Sequence, residues 1–131
     1  MLTIRISLIS LLFLLLPLSA FGAGTSPREA YLEYHLALKS ALSDEALWPH
    51  ATKAAREEFE RTFPPDFRGR AFYLMKAAAP HKVQVSNESI DGDTATLTLL
   101  PGDEHNRVKG TATLKREEGV WKVERVIWQG D

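Results

Sequence analysis

Two tyrosines and a histidine near the start of the sequence could do chemistry in a pocket. Tyr34 follows Tyr31 by three positions and His35 follows it by four, spacings that put side chains on one face of a helix. An imidazole titrates near neutral pH and can act as a general base, and a phenolic hydroxyl can donate a hydrogen bond to an oxyanion. Tyr73 could supply a further donor. We prefer a structural role for all four, in which rings pack in the core and polar atoms reach its rim.

Most other catalytic and ligand-binding arrangements are missing from the sequence. It has no cysteines, which excludes disulfides, thiolate metal sites, cysteine nucleophiles and a lipid-modified cysteine anchor. His50, His81 and His105 have no partner at metal-ligand spacing, and there is no Gly-rich phosphate loop or GxSxG motif. Turn chemistry explains the loop acids, and Glu124, the one acid inside a predicted strand, should face solvent. We therefore expect no catalytic residue, no metal and no cofactor.

A helix over residues 27–42 should carry the first candidates. Ser26 can cap its N-terminus and Glu29 can complete a capping box. Pro27 suits the first turn because an N–H there would lack an intrahelical partner anyway. Apolar residues then recur at spacings of three and four and form one stripe: Tyr31, Tyr34, Leu38 and Leu42. The stripe adds Leu38 to the residues that could line a pocket.

Two further helices should follow. Pro49 removes a backbone hydrogen bond and disfavours helix just before it. The sequence therefore predicts either a short turn at 44–48 and a helix over 49–62, or one kinked helix. This helix adds Phe59 to the pocket candidates. A third helix is predicted over 66–78, with this apolar stripe: Phe67, Ala71, Leu74 and Ala78.

After Pro80 the period of the apolar residues changes from near 3.6 to 2, which is typical of strands. We expect about four strands in succession with short turns, such as the one at Asp91–Asp93. In the last strand one face should hold Trp121, Val123 and Ile127, and the other Val120, Val126 and Trp128. Trp128 and Val126 are therefore interface candidates on the outer sheet surface. The alternative is packing over a neighbouring strand.

The first 22 residues have the features of a cleaved secretory leader. Arg5 is their only charge, Leu8–Leu16 is an apolar run, and small residues follow it, which is the order found in signal peptides. Cleavage is expected after Gly22, with Ala20 and Ala23 as alternatives. An anchor that stays in the membrane is the other interpretation, although the apolar run is short for a span.

Residues 23–131 should form one domain, since a chain of 131 residues has room for little more. Helices followed by strands predict an α+β fold. The formal net charge is −1, without the excess of Lys and Arg that nucleic-acid binding requires. We expect this domain to be exported, periplasmic or secreted, and to meet a membrane only through its leader during export.

Three segments resemble nuclear-transport-factor-2-like domains, a superfamily with a cystatin-like fold. The run from Tyr31 through Leu38 to Ser43–Trp48 resembles their first helix and polar turn. Ile90–Leu97 resembles their acidic turn before an Ala-x-Leu strand, and Arg116–Val123 resembles their closing hairpin with Trp-Lys-Val. The likeness is strongest to small exported bacterial members without an assigned activity.

The resemblance implies a cone-shaped α+β barrel. The N-terminal helices would pack in the concave face of a strongly curved, mainly antiparallel sheet and leave a pocket at its open end. Ketosteroid isomerases and polyketide cyclases of this superfamily place an acid or base there, whereas many relatives only bind a ligand or partner, and dimers are common. The isomerases need an aspartate that projects from the sheet. No predicted interior strand position has one here, so no catalytic residue is carried over.

These observations leave three functions open. The first is an exported, non-enzymatic binding module of the cell envelope, alone or as a homodimer, that holds a small apolar ligand or a protein partner. The second is an isomerase- or cyclase-like enzyme that uses a histidine with one of the tyrosines. The third is a secretion-system or toxin-neutralising accessory protein that acts through its surface. The pocket candidates are Tyr31, Tyr34, His35, Leu38, Phe59 and Tyr73.

Overall fold

The computed structural model describes residues 25–103 and 107–130. The predicted leader over residues 1–22, its cleavage site and His105 lie outside the described residues. The first element is helix α1, Pro27–Ser40. The Ser26 hydroxyl accepts a hydrogen bond from the Glu29 N–H at 3.2 Å, which satisfies one of the unpaired donors of the first turn. The predicted start of this helix is confirmed, and it ends two residues earlier than expected.

The connection after α1 contains two single turns of 3₁₀ helix, Asp44–Ala46 and Trp48–His50. Helix α2 covers Lys53–Thr62, so the prediction of a turn followed by a helix is confirmed, with a later start than position 49. The Thr52 side chain caps α2 by accepting from the Ala55 N–H at 3.1 Å. Helix α2 begins there because Thr52 also makes a backbone hydrogen bond to the sheet, and Ala51 and Thr52 are held extended.

Helix α3, Arg68–Ala78, completes the helical half. Its buried residues are Ala71 and Phe72, whereas Leu74 is exposed. The predicted stripe through Phe67 and Leu74 is therefore wrong. Phe72 and Met75 lie three positions apart and pack on the core, so the helix supports a second stripe, one position away from the predicted one. Packing against the rest of the domain, which local spacing does not encode, selects between them.

The four strands form an antiparallel sheet in chain order, β1-β2-β3-β4. Their bounds are Val83–Asp91, Thr94–Pro101, Lys109–Glu117 and Val120–Gln129. The turn between β1 and β2 has Gly92 at φ 59°, and the turn between β3 and β4 has Gly119 at φ 79°, a left-handed conformation that glycine adopts without strain. The predicted α+β class is confirmed: in the described part of the chain, three α-helices precede an open, four-stranded antiparallel sheet.

One sheet face, here called the core face, carries the buried side chains of the strands. Helix α1 contacts all four strands. The apolar residues that bury there alternate along β2, β3 and the first part of β4: Ala95, Leu97, Leu99, Ala112, Leu114, Trp121 and Val123. On α1 the predicted residues Tyr31, Tyr34 and Leu38 are buried in the same cluster. The period of two predicted for the strands is therefore confirmed in the second strand, and the stripe of the first helix is confirmed as far as Leu38. Leu42, the last predicted member of the stripe, lies beyond the end of α1 and is fully exposed, so that part of the prediction is wrong.

A β-bulge changes the alternation in β4. Val123 pairs with Leu114 and Arg125 pairs with Thr113, which leaves Glu124 without a partner in β3. Directly paired residues of antiparallel strands point to the same face. Because a bulge adds one residue, the side chains beyond it change faces relative to a regular strand. Beyond Glu124, the even-numbered positions of β4 therefore belong to the core face.

Candidate functional site

A cavity of about 390 Å³ lies among the three helices and β4. Its walls are mainly apolar and aromatic, and include these side chains: Tyr31, Tyr34, Leu38, Trp48, Ala55, Phe59, Phe63, Met75, Val126 and Trp128. Glu58 and Arg125 also line it and are exposed, so the cavity opens to solvent beside them. Its size and its apolar walls with a few polar groups are typical of a site for a small molecule.

The bulge in β4 supplies the wall formed by Val126 and Trp128. Val126 pairs with Ala112, which is fully buried, and Trp128 pairs with Gly110. The prediction that Val126 and Trp128 share the face opposite Trp121 is therefore wrong. Both belong to the core face, because Glu124 interrupts the alternation. A partner that contacts Val126 and Trp128 would therefore have to reach them through the cavity, whereas the sequence predicted both residues on the outer sheet surface.

The Trp128 ring packs directly on Gly110. A Cβ atom at Gly110 would lie 2.5 Å from Cζ3 and 2.6 Å from Cε3 of Trp128, well inside van der Waals contact. The indole therefore rests on the backbone of β3, in the space that a side chain would otherwise take. A glycine in a strand interior often marks such a close approach.

Tyr31 and Tyr34 project from α1 into the cavity wall, with ring centroids 6.0 Å apart. Burial raises the pKa of Tyr34 to about 12. Burial, and secondarily the neighbouring Tyr34, raises the pKa of Tyr31 further. Both hydroxyls are protonated at neutral pH and can act as hydrogen-bond donors. A tyrosine with so high a pKa is a poor proton-transfer group near neutral pH.

His35 is buried, with 6% of its surface exposed, and it does not line the cavity. Its Nδ1 lies 3.4 Å from the Tyr31 hydroxyl, and its Nε2 lies 3.3 Å from the carbonyl oxygen of His81. A carbonyl only accepts, so Nε2 carries the proton and donates, and Nδ1 accepts from Tyr31. Burial lowers the pKa of His35, although the His81 carbonyl opposes this. Both ring nitrogens are therefore engaged, Nδ1 within α1 and Nε2 with the segment before β1.

Of the other three pocket candidates, two line the cavity and one does not. Leu38 and Phe59 line the cavity with Tyr31 and Tyr34. Tyr73 does not: it is 68% exposed and takes no part in the cavity wall. Its neighbour Phe72 is buried, and adjacent residues of a helix point in different directions. The expectation that Tyr73 supplies a pocket donor is therefore contradicted.

Several cavity residues were not among the sequence candidates. Trp48 packs on Phe59 with ring centroids 5.1 Å apart, and its indole N–H donates to a carboxylate oxygen of Asp44 at 3.0 Å. The Phe63 ring packs on Phe59 from the other side in a tilted arrangement, with ring centroids 5.2 Å apart. The four-residue spacing of Phe59 and Phe63 was a signal for this pair, whereas Trp48 lies in a 3₁₀ turn, where helical spacing gives no information.

The described part of the chain offers no metal site and no membrane-spanning helix. Across residues 25–103 and 107–130, no three His, Asp or Glu side chains come together in a way that could hold a metal ion. Within the same ranges, no helix has the length and apolar character needed to cross a bilayer.

Comparisons with known proteins assign no relative to this fold and cavity. No protein-family model matches the chain, and neither the curated proteins nor the solved structures contain a significant match. The resemblance to nuclear-transport-factor-2-like domains stays a prediction.

Proposed function

We propose that this protein is an exported, non-enzymatic binding module of the cell envelope that holds a small apolar ligand in the cavity between its helices and β4. The observation that carries the proposal is the cavity itself, about 390 Å³ with mainly apolar and aromatic walls. Burying apolar surface of a ligand against such walls contributes roughly 25 cal/mol per Å² before the costs of association.

The chemistry of the cavity favours binding over catalysis. An isomerase- or cyclase-like reaction needs an acid or base and a donor that converge on one point. Tyr31 and His35 do contact each other, but only Tyr31 reaches the cavity, and its raised pKa opposes proton transfer. An enzyme that uses His35 would have to free the ring from the His81 carbonyl first.

The proposal also includes the family and the shape. Three N-terminal helices followed by an antiparallel meander fit the element order of nuclear-transport-factor-2-like domains, and a cavity at the helix–sheet boundary fits the pocket of such a cone. In this proposal the sheet curves around α1, and residues 1–22 direct export and are removed. A solved structure of residues 23–131 with a flat sheet would contradict the cone.

Binding can be tested with tetralin, a bicyclic hydrocarbon, titrated into residues 23–131 and followed by ¹H–¹⁵N NMR. We expect saturable shifts of the indole N–H signals of Trp48 and Trp128, since both side chains line the cavity. Ala55→Phe fills the cavity and should abolish the shifts. Ala54→Phe is the matched control, because Ala54 is the exposed neighbour on the same helix. Shifts that never saturate, or equal binding by both variants, would contradict the proposal.

Export is tested separately, by the intact mass of the protein recovered outside the cytoplasm of a bacterial host. We expect a mass that lacks residues 1–22, or the products of cleavage after Ala20 or Ala23. Recovery of the full 131-residue chain in that fraction would refute a cleaved leader.

A further inference from the structure

The Tyr34 hydroxyl is a hydrogen-bond donor without a partner in the cavity wall. Tyr34 is 7% exposed and lines the cavity, yet among the described residues no protein atom forms a hydrogen bond with its hydroxyl. The described part of the chain also contains no fully enclosed side-chain oxygen or nitrogen that lacks a partner. The hydroxyl is therefore not sealed in the protein, and the cavity is the open space that Tyr34 borders.

Tyr31 provides the contrast on the same helix. It is 1% exposed and lines the same cavity, but its hydroxyl already meets Nδ1 of His35 at 3.4 Å. The Tyr31 hydroxyl therefore has a hydrogen-bond partner within the domain. The Tyr34 hydroxyl has no such partner among the described residues, although a buried polar group is ordinarily paired.

The remaining polar groups around the cavity have other partners or reach water. The Trp48 indole N–H donates to Asp44. Glu58, Thr62 and Arg125 are exposed, so water solvates them. Trp128 is only partly buried. Among the polar side chains of this wall, Tyr34 is thus the deeply buried one whose hydroxyl can still form a hydrogen bond with a ligand.

We propose that the ligand of this cavity is an apolar molecule with a hydrogen-bond acceptor, such as a ketone or ester carbonyl, and that the Tyr34 hydroxyl donates to it. This inference rests on the proposed binding function and narrows it to a ligand class. The hydroxyl is protonated at neutral pH, as in any ordinary tyrosine, and burial raises its pKa further, to about 12. A pure hydrocarbon would leave the donor unpaired once it displaced water, whereas an acceptor would restore the hydrogen bond.

The test compares 1-tetralone with tetralin, which has a methylene where tetralone has its carbonyl. A net hydrogen bond of ordinary strength predicts that the wild-type domain binds tetralone about tenfold more tightly. Tyr34→Phe should bring the affinity ratio close to one. Tyr73→Phe, at an exposed tyrosine outside the cavity wall, is the control that should keep the wild-type ratio, and Tyr31→Phe tests the other tyrosine of the wall. The carbonyl stretching band of bound tetralone should move to lower frequency in the wild type and not in Tyr34→Phe.

Each outcome separates this inference from the function on which it rests. Equal binding of the two ligands by the wild type would overturn the assignment of Tyr34 and leave the apolar-ligand module in place. Binding of neither ligand would overturn both. If the preference for tetralone is lost in Tyr31→Phe and kept in Tyr34→Phe, the donor is Tyr31, and the assignment of Tyr34 is overturned. Because the ratio is measured within one variant, a change in its stability affects both ligands alike.

Discussion

Replacing Gly110 by alanine should destabilise the domain through a single contact. The new Cβ would lie 2.5 Å from the Trp128 ring, so the ring has to withdraw by about 1 Å to reach an ordinary contact distance. Overpacking of this kind costs about 1–3 kcal/mol. Alanine is better than glycine in a strand interior by about 0.5–1 kcal/mol. The clash exceeds this gain, and we expect a net loss of about 1–2 kcal/mol.

The loss should appear as a fall in Tm of about 5–10 °C for a domain of this size, measured by far-UV circular dichroism so that a moved tryptophan does not disturb the signal. Gly69→Ala is the matched control. A Cβ at Gly69 meets nothing within 4 Å, so alanine in α3 should raise the stability by about 0.5–1 kcal/mol. Replacing glycine by alanine should thus lower the stability at Gly110 and raise it at Gly69.

A double-mutant cycle assigns the effect to the ring. In a Trp128→Leu background the Gly110→Ala substitution no longer meets the indole, so its cost should shrink by about 1–2 kcal/mol. An equal cost in both backgrounds would refute the reasoning, since backbone strain or another neighbour would then be responsible. Because the displaced ring has the cavity beside it, Gly110→Ala should also weaken tetralin binding.

Three further predictions test other contacts. Thr52→Val keeps the buried volume but removes the cap on the Ala55 N–H, and should cost about 1 kcal/mol in urea denaturation. Burial lowers the pKa of His35 below 6.5, so the unfolded chain takes up a proton first as pH falls. The free energy of unfolding should be full above pH 6.5, fall below it and level off beneath the folded pKa, and His35→Gln should flatten this dependence. Lys39→Met removes two hydrogen bonds from its ammonium to carbonyls at the end of α3, including that of Ala79. It should cost about 1–2 kcal/mol and speed amide exchange in the last turn of α3, and unchanged exchange there would contradict it.

The features that could be predicted from the sequence are those that neighbouring residues determine. The start of α1 follows from Ser26 and Glu29, whose contact joins atoms within one turn. The alternation of β2 follows from period two, because no bulge interrupts its pairing with β3. In both cases the signal and the structure lie within the same few residues.

The features that could not be predicted depend on distant parts of the chain. Helix α2 begins at Lys53 partly because the Thr52 N–H donates to the Val123 carbonyl at 2.9 Å, a contact across much of the sequence. The faces of β4 depend on a bulge that exists only in its pairing with β3. Four residues of the cavity wall followed from the stripes of the helices, whereas the wall at Trp128 required the register of the sheet: Tyr31, Tyr34, Leu38 and Phe59.

The bulge also decides where the chain can change length. Glu124 has no partner in β3, so its removal would let β4 pair regularly with Val126 and Trp128 still on the core face. Loss of one residue between Val126 and Trp128 would instead turn the tryptophan away from the cavity, although almost every side chain would be retained. In β4, the face on which Trp128 lies is therefore more sensitive to insertions and deletions than to substitutions. Glu124 is the position at which one residue can be deleted without moving Trp128 to the other face.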